Sequence, residues 1–352
     1  LNINIRNKTV FKMLELCKRH KEGKLYREEL EDLLEHDDYK VEFERYNTKG
    51  LPITNITKEE FVDYFINLQQ LDTKDIQNER LRIHHIQYKC FFNNLDFYEK
   101  EIKKLLLIDE SIVKEGLKYT INGLPSYINF DSLDVIFTIS IGNSFGWPYK
   151  NCIHFDVLSF FKVCNINDLN SFKSFIGHEV HHIGYNKFSQ EINISKFNPE
   201  EYLYYFLAFE GLAVKYCNNG QGILTKKIYN DLEQNVGMDT FTWNYLRDEF
   251  YDIFNEFNSQ IQLIRIGKIK DLDDLKEIIS EYWLNSCTKL QEKEEVPKLK
   301  HSKNYYFGNE IWGLIHDTYG KEKVFEILEN PKEFPKEFNK ALKEIGRTDL
   351  II

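Results

Sequence analysis

Two histidines four residues apart, the first followed directly by a glutamate, limit the folding of this chain more than any other stretch: His178-Glu179-Val180-His181-His182. Four residues span slightly more than one α-helical turn, so both imidazoles share a face if the segment is helical. The flanking sequence agrees. Asp168, Asn170 and Ser171 supply cap side chains, and Phe172, Phe175, Ile176, Val180 and Ile183 recur at helical spacing. In that geometry two ring nitrogens can hold one zinc ion. Glu179, about 100° around the helix from His178, can lean over the metal and take a proton from its water. His181 points away from the His178–His182 face and reads as a supporting or surface group. The competing reading is an ordinary amphipathic helix with surface histidines, since the chain has 10 His among 352 residues.

A catalytic zinc takes three protein ligands and leaves one position open. The pattern that extends the motif to a third histidine needs Gly at position 185 and His at position 188, where this chain has Tyr185 and Phe188. A following helix offers a glutamate instead. Asn198-Pro199-Glu200-Glu201 is a strong helix start, with a capping Asn, Pro at the first helical position and acids near the positive end. The helix continues through Val214 and ends near Cys217-Asn218-Asn219-Gly220. Glu210 is the lone acid in its long apolar run. A buried carboxylate without a partner is costly, so it binds a cation, finds hydrogen bonds, or pairs with a core Lys or Arg. Gly211 and Ala213 are small and would let this helix approach the histidine helix closely.

His178-Glu179-x-x-His182 followed by Glu210-Gly211-Leu212-Ala213 resembles the gluzincin peptidases, the thermolysin-like class with two His and one Glu. Leu30-x-x-Leu33-Leu34 before Tyr39, Ile139-Ser140-Ile141-Gly142-Asn143, Tyr306-Phe307-Gly308 and Phe334-x-x-x-Phe338-Asn339 widen the resemblance. Together they look like a bacterial family of zinc-dependent peptidases that is still largely a domain of unknown function. The resemblance implies Zn2+ as cofactor, His178, His182 and Glu210 as ligands and Glu179 as general base. Zincins often add a Tyr or His that stabilises the developing oxyanion. Tyr305, Tyr306, His301 and His316 are available, and the resemblance favours Tyr306; the competing reading makes it one of the chain's 21 tyrosines, packed in the core. Thermolysin-like enzymes carry an Asp four residues after the ligand Glu. Here that place is Val214, so no partner orienting a ligand histidine is identified.

Before the zinc motif, Val135 to Ile141 reads as a strand, Gly142 to Pro148 as a Gly/Pro loop, and Cys152 to Val157 as the returning strand. In zincins an edge strand over the metal pairs with extended substrate, which makes Ile141, Gly142 and Asn143 the expected substrate-binding residues. A purely structural hairpin is the alternative, and His154 reads as packing. The expected fold is α+β and mostly helical: a zincin-like core with a small antiparallel or mixed sheet beside the active-site helix, wrapped by N- and C-terminal helices. A helical region at 1–122 and a catalytic region at 123–352 are expected, or one integrated domain.

Net charge is −10, which argues against nucleic acid or an anionic membrane as the main partner. No apolar run approaches 18 residues. The six cysteines are scattered without a Cys-x-x-Cys, which points to reduced thiols in a cytoplasm; the chain opens on Leu1, which leaves room for a removed leader. The expected activity is zinc-dependent hydrolysis of a peptide or protein substrate. The alternatives are metal-dependent hydrolysis of a non-peptide amide, and an inactive helical binding protein with a structural metal.

Overall fold

The computed structural model describes residues 1–48, 55–142, 145–163, 169–218, 220–225, 238–285 and 299–352. They divide into two compact units, residues 1–115 with 130–179, and residues 116–129 with 180–352. Helix dominates both, and the described strands form one mixed four-stranded sheet, so the chain is α+β and mostly helical. Among the described residues no helix is long and apolar enough to cross a membrane.

The first unit opens with β1 (Asn2–Arg6) and continues through α1 (Lys8–Lys21), α2 (Arg27–Leu34), α3 (Asp37–Tyr46), α4 (Lys58–Asn67), α5 (Glu79–Asn93) and α6 (Leu95–Lys103). The expected capping box opens α4: Glu60 N–H donates to Thr57 Oγ1 at 3.1 Å, and Thr57 N–H donates back to Glu60 Oε2 at 2.7 Å. After α7 (Glu110–Asn122), whose second half belongs to the other unit, come β2 (Ser132–Thr138), β3 (Gly146–Tyr149), β4 (Cys152–Asp156) and α8 (Val157–Val163). The unit ends within α9 (Asn170–Glu191), a continuous helix that carries the His-Glu motif.

The sheet order is β1-β2-β4-β3, with β1 and β4 parallel to β2 and β3 antiparallel to β4. This corrects the expected hairpin. The two β-rich runs, β2 and β4, are parallel neighbours, and the hairpin partner of β4 is β3, most of which lies in the stretch read as a loop. Gly-Trp-Pro-Tyr has turn composition, but Pro is admitted to a strand where its missing N–H faces outward at an edge. A two-residue turn at Lys150 and Asn151, with Lys150 at φ 54°, closes the hairpin. The Asp156 N–H donates to the Phe145 carbonyl at 3.0 Å. By the alternation of an antiparallel ladder, the main-chain groups of Trp147 and Tyr149 then face β4, and those of Gly146 and Pro148 face outward.

The two faces of the sheet differ in chemistry. One carries Phe137 and Phe155, which pack on Phe160 of α8 and Phe172 of α9. The other carries Thr138, His154 and Trp147 and meets α3. There Glu42 is fully buried and accepts from Ser140 Oγ, from Ile141 N–H at 2.9 Å and from Thr138 Oγ1 at 3.1 Å. Burial raises its pKa from 4.5 to about 7. With the Thr138 hydroxyl proton given to Glu42, His154 Nε2–H donates to Thr138 Oγ1 (3.0 Å), and the ring stacks on Trp147, the packing role expected for it.

The second unit is built on α10 (Pro199–Cys217), followed by α11 (Thr240–Asp248), α12 (Phe250–Arg265), α13 (Leu272–Ile278), α14 (Lys303–Tyr319), α15 (Lys321–Glu329) and α16 (Phe334–Glu344). The backbones of α10 and α14 touch. A Cβ on Gly211 would lie 2.2 Å from the Gly308 carbonyl carbon, and one on Gly308 would lie 2.1 Å from the Leu207 carbonyl oxygen. The close approach expected at Gly211 is therefore made to α14, not to the histidine helix. Glu310, fully buried on α14, gathers the N–H groups of Ile223 (2.7 Å), Leu224 (2.6 Å) and Thr225 (3.3 Å), fastening the chain just beyond α10.

Candidate metal centre

Two helices bring the candidate ligands together. On α9, His178 and His182 stand one turn apart, 8% and 3% exposed. On α10, the expected cap is present: Asn198 Oδ1 accepts from Glu201 N–H at 3.0 Å, Glu201 Oε2 accepts from Asn198 N–H at 2.9 Å, and Pro199 takes the first turn. That start opens a helix most of whose apolar residues are buried and whose Glu210 remains partly accessible, 15% exposed. The Tyr185 hydroxyl of α9 donates to the Tyr205 carbonyl of α10 at 3.2 Å, tying the two helices one turn from the acid.

The ligand atoms of His178, His182 and Glu210 lie within 4.8 Å of one another. His182 Nε2 and Glu210 Oε2 are 3.2 Å apart. The His182 ring lies flat against Phe209, with centroids 4.1 Å apart at 11°, which holds the imidazole beside the neighbouring Glu210. Metal–ligand bonds of about 2.1 Å in a tetrahedron put ligand atoms about 3.4 Å apart. The donor set, two imidazoles and one carboxylate, is one that zinc takes in catalytic sites. The residues present therefore fit a zinc ion after small side-chain adjustments.

Glu179 lies outside that set. Its Oε1 would be 3.2 Å from a Cβ on Gly146, so its carboxylate lies against the first residue of β3. His181, expected to support the site or lie at the surface, is fully buried: its Nε2 meets the Gly123 carbonyl at 3.2 Å, and its ring lies between Tyr185 and Tyr216.

Of the other expected site residues, Tyr306 is fully buried beside Glu310 and against Trp243 (4.9 Å between ring centroids). Burial, then the Glu310 carboxylate, raises its pKa. Ile141 and Gly142 follow β2, which has a strand on both sides. The Ile141 N–H is taken by Glu42, the Gly142 N–H by Ser140 Oγ at 3.0 Å, and the Gly142 carbonyl by Arg80. These backbone groups are used internally, and the end strand on this side is β3. Asn143 lies outside the described residues. Sequence reasoning missed Gly146 and β3; the signal available was Pro148, a residue tolerated at an edge.

No curated protein and no solved structure matches the chain. A family match covers residues 30–346, and so takes in the whole cluster and both helices that hold it. The chain belongs to the family described as "Putative zinc dependent peptidase (DUF5700)".

Proposed function

We propose that this protein is a zinc-dependent metallopeptidase of the gluzincin type, with a zincin-like arrangement of helix and edge strand. The observation that carries the proposal is the convergence of His178, His182 and Glu210, with Glu179 one residue from a ligand yet turned to the end strand β3. Zinc held by the three ligands would supply Lewis acidity to a water and to the scissile carbonyl. Glu179 accepts the proton of the attacking water and delivers it to the leaving amine. The outward N–H and C=O of Gly146 and C=O of Pro148 pair with an extended peptide, which lays its backbone past the Glu179 carboxylate.

Elemental analysis tests the ligand set: one zinc per wild-type chain, and strong loss in His182→Ala and Glu210→Ala. Cleavage of a mixed peptide library tests the chemistry. It is expected to be chelator-sensitive in the wild type and absent in Glu179→Gln, which keeps its metal. A Glu179→Gln protein that cleaves as well as the wild type refutes the mechanism.

A further inference from the structure

The face of the sheet turned away from Glu179 holds an arginine in an unusual state. Arg45, on α3, lays its guanidinium 4.4 Å from the centre of the Trp147 ring. His154 stacks on the same ring at 4.3 Å, so the two cover opposite faces of the indole. Arg45 is half-buried, and burial lowers its pKa. Among the described residues it has no hydrogen bond and no ion pair with a carboxylate. By contrast Arg6, Arg19, Arg265 and Arg347 each hold a carboxylate within 3.0 Å. A guanidinium is built for forked bonds to a carboxylate, which stacking alone does not supply.

Tyr46, Glu42 and Glu179 favour its charge through space, but none of the described residues accepts a hydrogen bond from it, and a second cation stands nearby. Arg80, 4.3 Å from the centre of the Tyr46 ring, acts on Arg45 as a like charge. Glu42, beneath it, is committed to Thr138, Ser140 and Ile141, and neither Glu42 nor Glu179 bonds to it. The Trp147 Nε1–H is buried with no acceptor among the described residues, a further donor dipole at this spot.

Side chains of a strand alternate between faces. Gly146 shares the face of Glu179, and Trp147, the next residue, shares the face of Arg45. A peptide added to β3 alternates in the same way. The residue whose bond lies at Glu179 turns one way, and its neighbour turns toward Arg45. We propose that Arg45, held on Trp147, is a specificity-determining residue that selects peptides carrying a carboxylate beside the scissile bond. The proposal rests on the peptidase reading and on β3 as the substrate edge. The carboxylate belongs either to an acidic side chain or to the C-terminus of the peptide.

Matched peptides separate the two sources. One series carries Glu or Gln at successive positions, and another ends in a free acid or an amide. Binding is read by fluorescence anisotropy with zinc-free protein, and cleavage is read with zinc-loaded protein. The expected preference for the carboxylate member is about 10- to 100-fold, the effect of a charge-assisted hydrogen bond. Arg45→Met keeps the contact with Trp147 and is expected to abolish the preference while handling the Gln or amide member as the wild type does. Raising salt on the wild type weakens the preference without any substitution, so the test does not depend on the variant folding. Cleavage without a carboxylate preference overturns the subsite and leaves the peptidase reading standing. An Arg45-dependent carboxylate preference in binding, with no peptide cleaved, supports the subsite and overturns the peptidase reading. Failure of every peptide to bind overturns the subsite as well.

Discussion

Replacing Gly211 by Ala tests the tightest junction in the second unit. The added Cβ would lie 2.2 Å from the Gly308 carbonyl carbon, 2.5 Å from its Cα and 2.6 Å from its oxygen. Carbon atoms rest at about 3.5–4.0 Å, so α10 and α14 must part by roughly 1.3 Å or more. Both obstacles are backbone, which cannot rotate away as a side chain can. Alanine is favoured over glycine within a helix by about 1 kcal/mol, which opposes the effect. Overpacking costs about 1–3 kcal/mol, and the parted helices lose further contacts, including the Trp312 Nε1–H bond to the Tyr204 carbonyl at 3.1 Å. The expected net loss is about 2 kcal/mol, read as a lower midpoint in urea with tryptophan fluorescence and chelator present. Gly308→Ala behaves alike, and the double variant loses less than the sum, because helices already parted accept the second methyl more easily. A Gly211→Ala protein as stable as the wild type, or more so, refutes the backbone contact.

Three further outcomes follow from particular contacts. Glu42 ionises near 4.5 in the unfolded chain and at about 7 when buried near His154 and Asp156, so its destabilising contribution is absent below the first value, grows between them and is complete above the second, reaching about 3 kcal/mol; the stability difference between Glu42→Gln and the wild type should therefore shift by up to that amount in favour of the variant from pH 5 to pH 8, and a pH-independent difference refutes the assignment. Gly146→Ala places a Cβ 3.1 Å from the Phe155 ring and 3.2 Å from Glu179 Oε1; zinc content should be unchanged and hydrolysis should fall by roughly tenfold, since small displacements of a catalytic group are costly, whereas full activity shows that Glu179 does not work from this position. Tyr306→Phe removes a hydroxyl beside buried Glu310; the expected result is a loss of about 1–2 kcal/mol in urea with near-wild-type hydrolysis, while a loss of turnover of about 100-fold at unchanged stability would return Tyr306 to the oxyanion role.

The parts of this structure that were legible in the sequence are those written in local signals. His178 and His182 are four residues apart on one helix, and Asn198-Pro199-x-Glu201 announces the helix that brings Glu210. Gly320, at φ 87°, marks the break between α14 and α15. What escaped depends on partners distant in the chain. Parallel pairing of β2 with β4 leaves no mark on either strand, since both runs are equally apolar in a hairpin. β1 is short and polar at alternate positions, and β3 is composed like a turn. The small size of Gly211 was visible, but its partner Gly308 lies 97 positions away in sequence, by subtraction of the two numbers. The hydroxyl of Tyr306 is visible in the sequence, but its burial beside Glu310 is not. Arg45 carried no motif, and only the fold sets it on Trp147.

Pro148 has a consequence for how this protein behaves among copies of itself. An open end strand invites a second chain to extend the sheet, which is the usual start of edge-to-edge association. The outward side of β3 offers carbonyls at Gly146 and Pro148 but only one N–H, that of Gly146. Two such edges brought together would present four acceptors and two donors, leaving carbonyls facing each other with nothing between them. A flexible peptide with its full set of amides has no such deficit and can supply the missing donors. The same imino acid that hides the strand from sequence reading thus makes its edge a better partner for a foreign peptide than for its own copy.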